Sequence, residues 1–292
     1  MKRAIIDVGS NSVRLLLDGE KYIENTQLSE GLAVGGLLQE QPILRTIDAI
    51  VKFHSFAKNN GAECVSVFAT EAVRSANNGV EFVARLKEYG INLEVISPEQ
   101  ESLVAFLGAY TQGTRAILDI GGASSELVVG DESGIKYSCS LPVGCVRLKD
   151  YSTDLDKVKA YAKKMAELYV DVPVFDGLTA IGGTATTLCA VIKELEPYDR
   201  NKVHGSTINR EQLEKAVTKI LSTPLEKRTL IKGLHPKRIT VAPMGGIWLL
   251  AIMDYLNLSE ITVSESDNLE GFLQVSDLQR SWSQRAAVQL VG

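Results

Sequence analysis

The sequence predicts an α/β protein built from two related halves. Three observations carry the prediction. A strand, tight turn, strand pattern is written twice: RAIIDVGSNSVRLLLDGE at positions 3–20 and RAILDIGGASSELVVGDE at 115–132 align without a gap at an offset of 112. They share eight of eighteen residues, including Asp7/Asp119, Gly9/Gly121 and Ser12/Ser124. Behind each copy, β-branched runs alternate with segments of helical spacing. The length of 292 residues, 45% apolar and 23% charged, suits one large or two medium soluble domains with a sizeable core.

The elements follow in order. RAIIDV and VRLLL form the first hairpin around the small residues GSNS. RTIDAIVKFHSFAKNNG has apolar residues at helical spacing and ends in Asn-Asn-Gly, a helix stop. ECVSVFAT reads as a strand, EAVRSANNGVEFVARLKEYG as one or two helices, NLEVIS as a short strand, and PEQESLVAFLGAYTQG as a helix. The second hairpin, RAILDI and ELVV around GGASS, then begins. The domains are therefore expected at 1–114 and 115–292, with the last helix free to pack back on the first domain. In the second half LTAIGG reads as a strand leading into the helix TATTLCAVIKEL. RITVAPMGG followed by IWLLAIMDYLNL reads as a repeat of that strand, glycine pair, helix design, and EITVSES as a late strand.

Composition excludes several classes. The net charge is -5 with both signs mixed along the chain, so no basic tract points to nucleic acid. The first residues are not a secretory signal, and no apolar run approaches the ~20 residues that cross a bilayer, so a cytoplasmic protein without a membrane partner is expected. Cys64, Cys139, Cys145 and Cys189 contain no C-x-x-C pair and are read as free thiols.

The candidate site residues come from the repeat and its surroundings. In both hairpins an Asp ends the first strand, and small residues then leave backbone N–H groups uncovered, as an anion-binding nest requires. Two such loops, each with a carboxylate, are expected to face one cleft. Arg74 and Asn78 lie four apart on an expected helix, where they share a face and could grip one anion. A salt bridge from Arg74 back to Glu71 is the alternative. In ISPEQES, Ser97 reads as N-cap, Pro98 as the first helical residue and Gln100 as the partner in a capping box, which puts Glu101 in the first turn. Charge compensation of the helix dipole would explain a glutamate there.

The motifs DVGSNSVRLL, ATEAVRSANN, VISPEQES, LDIGGASSELVVG, LPVGCVRL, IGGTATTL, KVHG and VAPMGG occur in that order over nearly the whole chain. In this the chain resembles the exopolyphosphatase and guanosine pentaphosphate phosphohydrolase family, whose fold is ribonuclease H-like, of the actin-like ATPase and sugar-kinase superfamily. The resemblance implies hydrolysis of a terminal phosphate from inorganic polyphosphate or guanosine pentaphosphate with Mg²⁺, in a homodimer. It implies that Asp7, Asp119 and Glu126 hold the metal through hard carboxylate oxygens. Ser10, Asn11, Ser12, Gly121, Gly122, Ser124 and Ser125 would donate to phosphate oxygens, Arg74 and Asn78 would bind substrate, and Glu101 would be the catalytic base. Left to itself, Glu126 reads as an outward-facing strand residue. Ala123 stands where the family more often has Gly, and Leu269 where it frequently has Arg. A small-molecule kinase of the same fold and a non-enzymatic nucleotide- or polyphosphate-binding module are the rival functions.

Overall fold

The computed structural model describes residues 2–277, which divide into two compact units. The first runs to Gly108 and resumes at Asn268; the second is Ala109–Asp267. By this division the position expected for a single cut, between residues 114 and 115, falls inside the second unit.

In the first unit β1 (Arg3–Val8), β2 (Ser12–Leu17) and β3 (Glu20–Asn25) form an antiparallel meander. The short α1 (Leu32–Gly35) and the long α2 (Glu40–Asn59) lead to β4 (Cys64–Ala69), parallel to β1. Ile43, Ile47, Ile50, Phe53 and Ala57 place one apolar stripe of α2 in the core, and the expected Asn-Asn-Gly stop is kept, with Gly61 at φ +85°. The helix starts earlier than expected because Pro42 in its first turn needs no N–H partner. α3 (Glu71–Arg74), α4 (Gly79–Glu88), β5 (Leu93–Val95) and α5 (Pro98–Ala109) follow, and the sheet order is β3-β2-β1-β4-β5.

The second unit repeats this order. β6 (Arg115–Ile120), β7 (Ser125–Asp131) and β8 (Gly134–Leu141) form the meander, β9 (Gly177–Ile181) runs parallel to β6, and α6 (Cys145–Tyr151) and α7 (Leu155–Ala166) lie between them. α8 (Gly182–Ile192), α9 (Arg200–Val203), β10 (Ser206–Asn209), α10 (Arg210–Ser222), α11 (Ala242–Tyr255) and β11 (Glu260–Val263) complete the unit, in the sheet order β10-β11-β9-β6-β7-β8. The last described helix, α12 (Asn268–Asp277), returns to the first unit, where Phe272 stacks on Phe68 at 4.4 Å and Lys21 pairs with Glu270. Leu269, one of the departures from the family pattern, is fully buried there among Ile5, Leu16, Phe68 and Val104.

Two expectations are corrected. RITV is not a strand: Pro236–Arg238 is a 3₁₀ turn and α11 starts at Ala242, with the second glycine pair inside it. Those glycines serve close packing, since a Cβ on Gly245 would lie 2.4 Å from Thr184 Cγ2 and one on Gly246 2.3 Å from Val217 Cγ2. Arg74 and Asn78 do not share a helix. The chain breaks at 75–78 because the Asn78 amide is held by the Leu38 backbone, and Gly79 passes so close to the Val73 carbonyl that a Cβ would lie 2.2 Å from it.

Candidate functional site

In both units the candidate residues gather where the central strands end, the usual location of ligands in such sheets. In the first hairpin the Gly9 N–H donates to the Ser12 carbonyl at 3.0 Å and closes the turn. Ser10, Asn11 and Ser12 are buried, and a strap after β3 supports them: the Thr26 and Gln27 N–H groups donate to the Asn11 carbonyl and that of Ser29 to the Ser10 carbonyl. Asp7 faces Arg14 across the β1/β2 register. Its Oδ2 accepts from Arg14 Nε at 2.9 Å and from Nη2, with the side chains 4% and 16% exposed. Asp7, expected at the metal, is thus a partner in a largely buried ion pair.

The crossover helices of the same unit bring Arg74 to Glu101. The α5 cap is as expected from the sequence: the Ser97 N–H donates to Gln100 Oε1 at 2.8 Å and the Gln100 N–H donates to Ser97 Oγ at 3.2 Å. This fixes Glu101 in the first turn with a side chain only 6% exposed. Arg74 Nη1 donates to the Ile96 carbonyl at 2.7 Å and to Glu101 Oε2 at 3.1 Å, while Nη2 donates to Glu71 Oε2 at 3.0 Å. The alternative pairing of Arg74 with Glu71 is therefore present together with the pairing to Glu101. Asn78 takes no part; its amide donates to and accepts from Leu38. Glu99 points to its own cap, where the Ser97 hydroxyl, its own backbone N–H and the nearby Arg74 charge hold its carboxyl below the usual value.

The second hairpin has the same turn, with Gly121 N–H donating to the Ser124 carbonyl at 3.0 Å. Here Asp119 faces Glu126. Both are buried, at 7% and 1% exposure, and Ser140 Oγ donates to Glu126 Oε1 at 2.8 Å, so Glu126 is not an outward-facing strand residue. Asp119 also lies against the start of α8, where Gly182 adopts φ +78° and a Cβ would come within 2.6 Å of Asp119 Oδ1. The support after β8 is the start of α6: Cys145 N–H donates to the Gly121 carbonyl, and Val146 and Arg147 N–H donate to that of Gly122. A Cβ on Gly144 would lie 2.4 Å from the Gly122 carbonyl, so only glycine allows this approach. Ala123 is buried in the loop and Ser124 is 4% exposed. Ser125, expected among the phosphate donors, has its hydroxyl committed inward: it donates to the Val143 carbonyl and accepts from Trp248 Nε1 at 2.6 Å.

Sequence reasoning gave no role to Arg238. Its guanidinium lies over Gly183 at the α8 N-terminus, where a Cβ would be 1.9 Å from Nη2. No local pattern marks it, because the 3₁₀ turn that delivers it follows a long excursion from α8. Burial pushes the neighbouring Cys145 thiol up and the Arg238 charge only partly opposes this, so Cys145 stays a neutral thiol.

Among the described residues no three His, Cys, Asp or Glu side chains converge as a metal-binding group. Two carboxylates buried side by side on one face, Asp119 and Glu126, still fit a hard cation that completes its shell with water or ligand oxygens, as Mg²⁺ does. No helix among the described residues is long and apolar enough to cross a membrane.

Comparison with known proteins agrees with this arrangement. The chain is 31% identical to the bifunctional 3-dehydroquinate synthase/phosphatase of Fusobacterium nucleatum subsp. nucleatum over 92% of its own length, but spans only 46% of that protein. It is 27% identical to exopolyphosphatase 2 of Mycobacterium tuberculosis, covering 92% of this chain and 96% of that one. The crystal structure of the Aquifex aeolicus Ppx/GppA family member superposes with a TM-score of 0.78 at 30% identity, covering 96% of this chain and 99% of that one. The sequence profile of the Ppx/GppA phosphatase family matches residues 12–280, and the chain belongs to that family.

Proposed function

We propose that the chain hydrolyses the terminal phosphoanhydride of inorganic polyphosphate or guanosine pentaphosphate. One observation carries the reading. Arg74 and Glu101, from separate crossover helices, meet at 3.1 Å where the strands of the first unit end. Hydrolysis of a phosphoanhydride needs a positioned water and donors for the charge that develops on the phosphoryl oxygens. Glu101 orients the water and accepts its proton. Arg74 has three N–H groups pinned by Ile96, Glu101 and Glu71; its Nε–H and second Nη2–H have no partner among the described residues and are the donors for the terminal phosphoryl group. The loop at Gly9, Ser10, Asn11 and Ser12 and the loop at Gly121, Gly122 and Ser124 bind phosphate oxygens, and Arg238 at the start of α8 adds a cation for the same anion class.

Asp119 and Glu126 would hold Mg²⁺, which when bound neutralises phosphate charge. Their burial fixes them for that task and keeps competing solvent away. Asp7 is held by Arg14 through Oδ2.

The test is Glu101→Gln assayed for phosphate release from tripolyphosphate without an acceptor. Affinity should stay within a few-fold while turnover falls about 10²-fold or more. An unchanged rate with a lower Tm would leave Glu101 as a helix-capping residue and overturn the reading. Release that needs an acceptor molecule would assign the chain to the kinases instead.

A further inference from the structure

Of the two carboxylates hydrogen-bonded to Arg74 among the described residues, Glu71 is the one that has no part in the proposed chemistry. It opens the short helix α3, so the spacing of three puts both side chains on one face, and the Val73 and Arg74 N–H groups bond to the Thr70 carbonyl as that turn requires. Its Oε2 accepts from Arg74 Nη2 at 3.0 Å, while the other terminal nitrogen, Nη1, is fixed by the Ile96 carbonyl at 2.7 Å. Two anchors on two different nitrogens define the plane of a guanidinium. Without Glu71 the remaining anchors, Ile96 and Glu101, both hold Nη1 and leave the Nη2 edge free to tilt.

Resting on the reading of Arg74 as the phosphate donor, we infer that Glu71 is a positioning residue. It holds the Arg74 plane so that Nε–H and the second Nη2–H face the terminal phosphoryl group. It also competes with Glu101 for the same cation. Without Glu71, Arg74 is free to close on both oxygens of Glu101, which would withdraw the donor and the base from substrate together.

The inference has a sign that simple charge counting does not share. Glu71 is an anion near a site for anions, so its removal should tighten phosphate binding if its charge were all that mattered. If it positions Arg74, its removal must weaken binding or turnover instead. Its side chain is 17% exposed, so removing it also has a cost in stability, and Tm must be read beside activity to separate that cost from loss of positioning.

The experiment compares wild type, Glu71→Ala, Glu71→Gln, Arg74→Ala and the double variant Glu71→Ala/Arg74→Ala. It reads KM and kcat for tripolyphosphate, Tm, and calorimetric binding of tripolyphosphate as a measurement independent of turnover. Glu71→Ala should lower kcat/KM about tenfold at a temperature well below its Tm, where the variant is fully folded. Glu71→Gln, which keeps an oxygen for Nη2, should recover to within about threefold of wild type, and Glu71→Ala should cost nothing further once Arg74 is gone. Equal or tighter binding by Glu71→Ala, failure of Gln to rescue, or an additive double variant would overturn the inference. If Arg74→Ala itself changes neither binding nor turnover, the reading of Arg74 falls. If Arg74→Ala is crippled and Glu71→Ala is not, only the positioning role falls.

Discussion

The two hairpins are the same device with a facing residue of opposite sign. In each, a glycine N–H closes the turn on the carbonyl three residues later, and a third strand ends in a support whose N–H groups bond to the loop carbonyls. The pairing register is also shared: Ala4 faces Leu17 and Asp7 faces Arg14, while Ala116 faces Val129 and Asp119 faces Glu126, each at the 112-residue offset. Yet Arg14 pairs with Asp7, whereas Glu126 sets a second buried carboxyl beside Asp119. In one copy the carboxylate is paired with a guanidinium, and in the other two buried carboxyls lie together, a pair chemically suited to a cation. The duplication preserved the backbone and left the facing residue free to divide the work.

The largest expected effect comes from exchanging those facing residues. Arg14→Glu places two carboxylates together where an ion pair stood, and removing one partner of a buried pair costs about 3–5 kcal/mol, so Tm should fall by roughly 10 °C. Glu126→Arg should instead give an ion pair with Asp119, keep the fold and abolish Mg²⁺-dependent phosphate release. Thermal unfolding with and without Mg²⁺, together with a phosphate-release assay of Glu126→Arg, checks both. Strong stabilisation of Arg14→Glu by Mg²⁺ would show that the facing residue alone selects the ligand and that the surrounding unit contributes little.

A smaller effect separates the residues behind the loops. The first hairpin has apolar, fully buried Val13 where the second has Ser125, whose hydroxyl bonds both Val143 and Trp248. Ser125→Val would leave the indole N–H and the Val143 carbonyl without that partner, at about 1–3 kcal/mol for each unsatisfied group. Adding Trp248→Phe should then cost less than it does alone, because its partner is already gone. Urea unfolding measures the cycle, and strictly additive costs would mean that the second loop does not depend on this network.

The smallest effect distinguishes Glu99 from Glu101 on the helix next to the first hairpin. The hydrogen bond from Ser97 holds the Glu99 carboxyl below its ordinary value of 4.5. Its contribution to stability is therefore full above pH 4.5 and is lost as pH falls through the depressed folded value. Glu99→Gln should cost less than about 1 kcal/mol above pH 4.5, and the difference from wild type should shrink on acidification while turnover at neutral pH is kept. A Glu99→Gln turnover loss as deep as that of Glu101→Gln would assign the base to the wrong carboxylate.

Much of this was legible in the residues. The repeat marked both hairpins, and the run of Ser97, Pro98 and Gln100 placed Glu101 in a first helical turn, because capping chemistry is local. The α/β class with two related sheets follows from the same local patterns. Capping residues at Asp154 and Asn209 mark the starts of α7 and α10 by the same local chemistry. Arg238 had no such signal, since its position over Gly183 depends on how a distant 3₁₀ turn packs. The glycine pair at 245–246 looked like a turn because a glycine needed for close helix packing and one needed for a positive φ are the same letter.

The sequence by itself determined the periodic elements, the turn chemistry of both loops, the helix cap that holds Glu101 and the family resemblance. These depend on residues within a few positions of one another. Only the tertiary structure decided that Asp7 is matched by Arg14 and Asp119 by Glu126, that Glu101 joins Glu71 on Arg74, that Asn78 ties down Leu38, and that Ser125 faces the core. Each of these is a choice among partners brought together by strand pairing or crossover, and hydrogen bonds and ion pairs form only at distances that chain topology, not sequence spacing, sets.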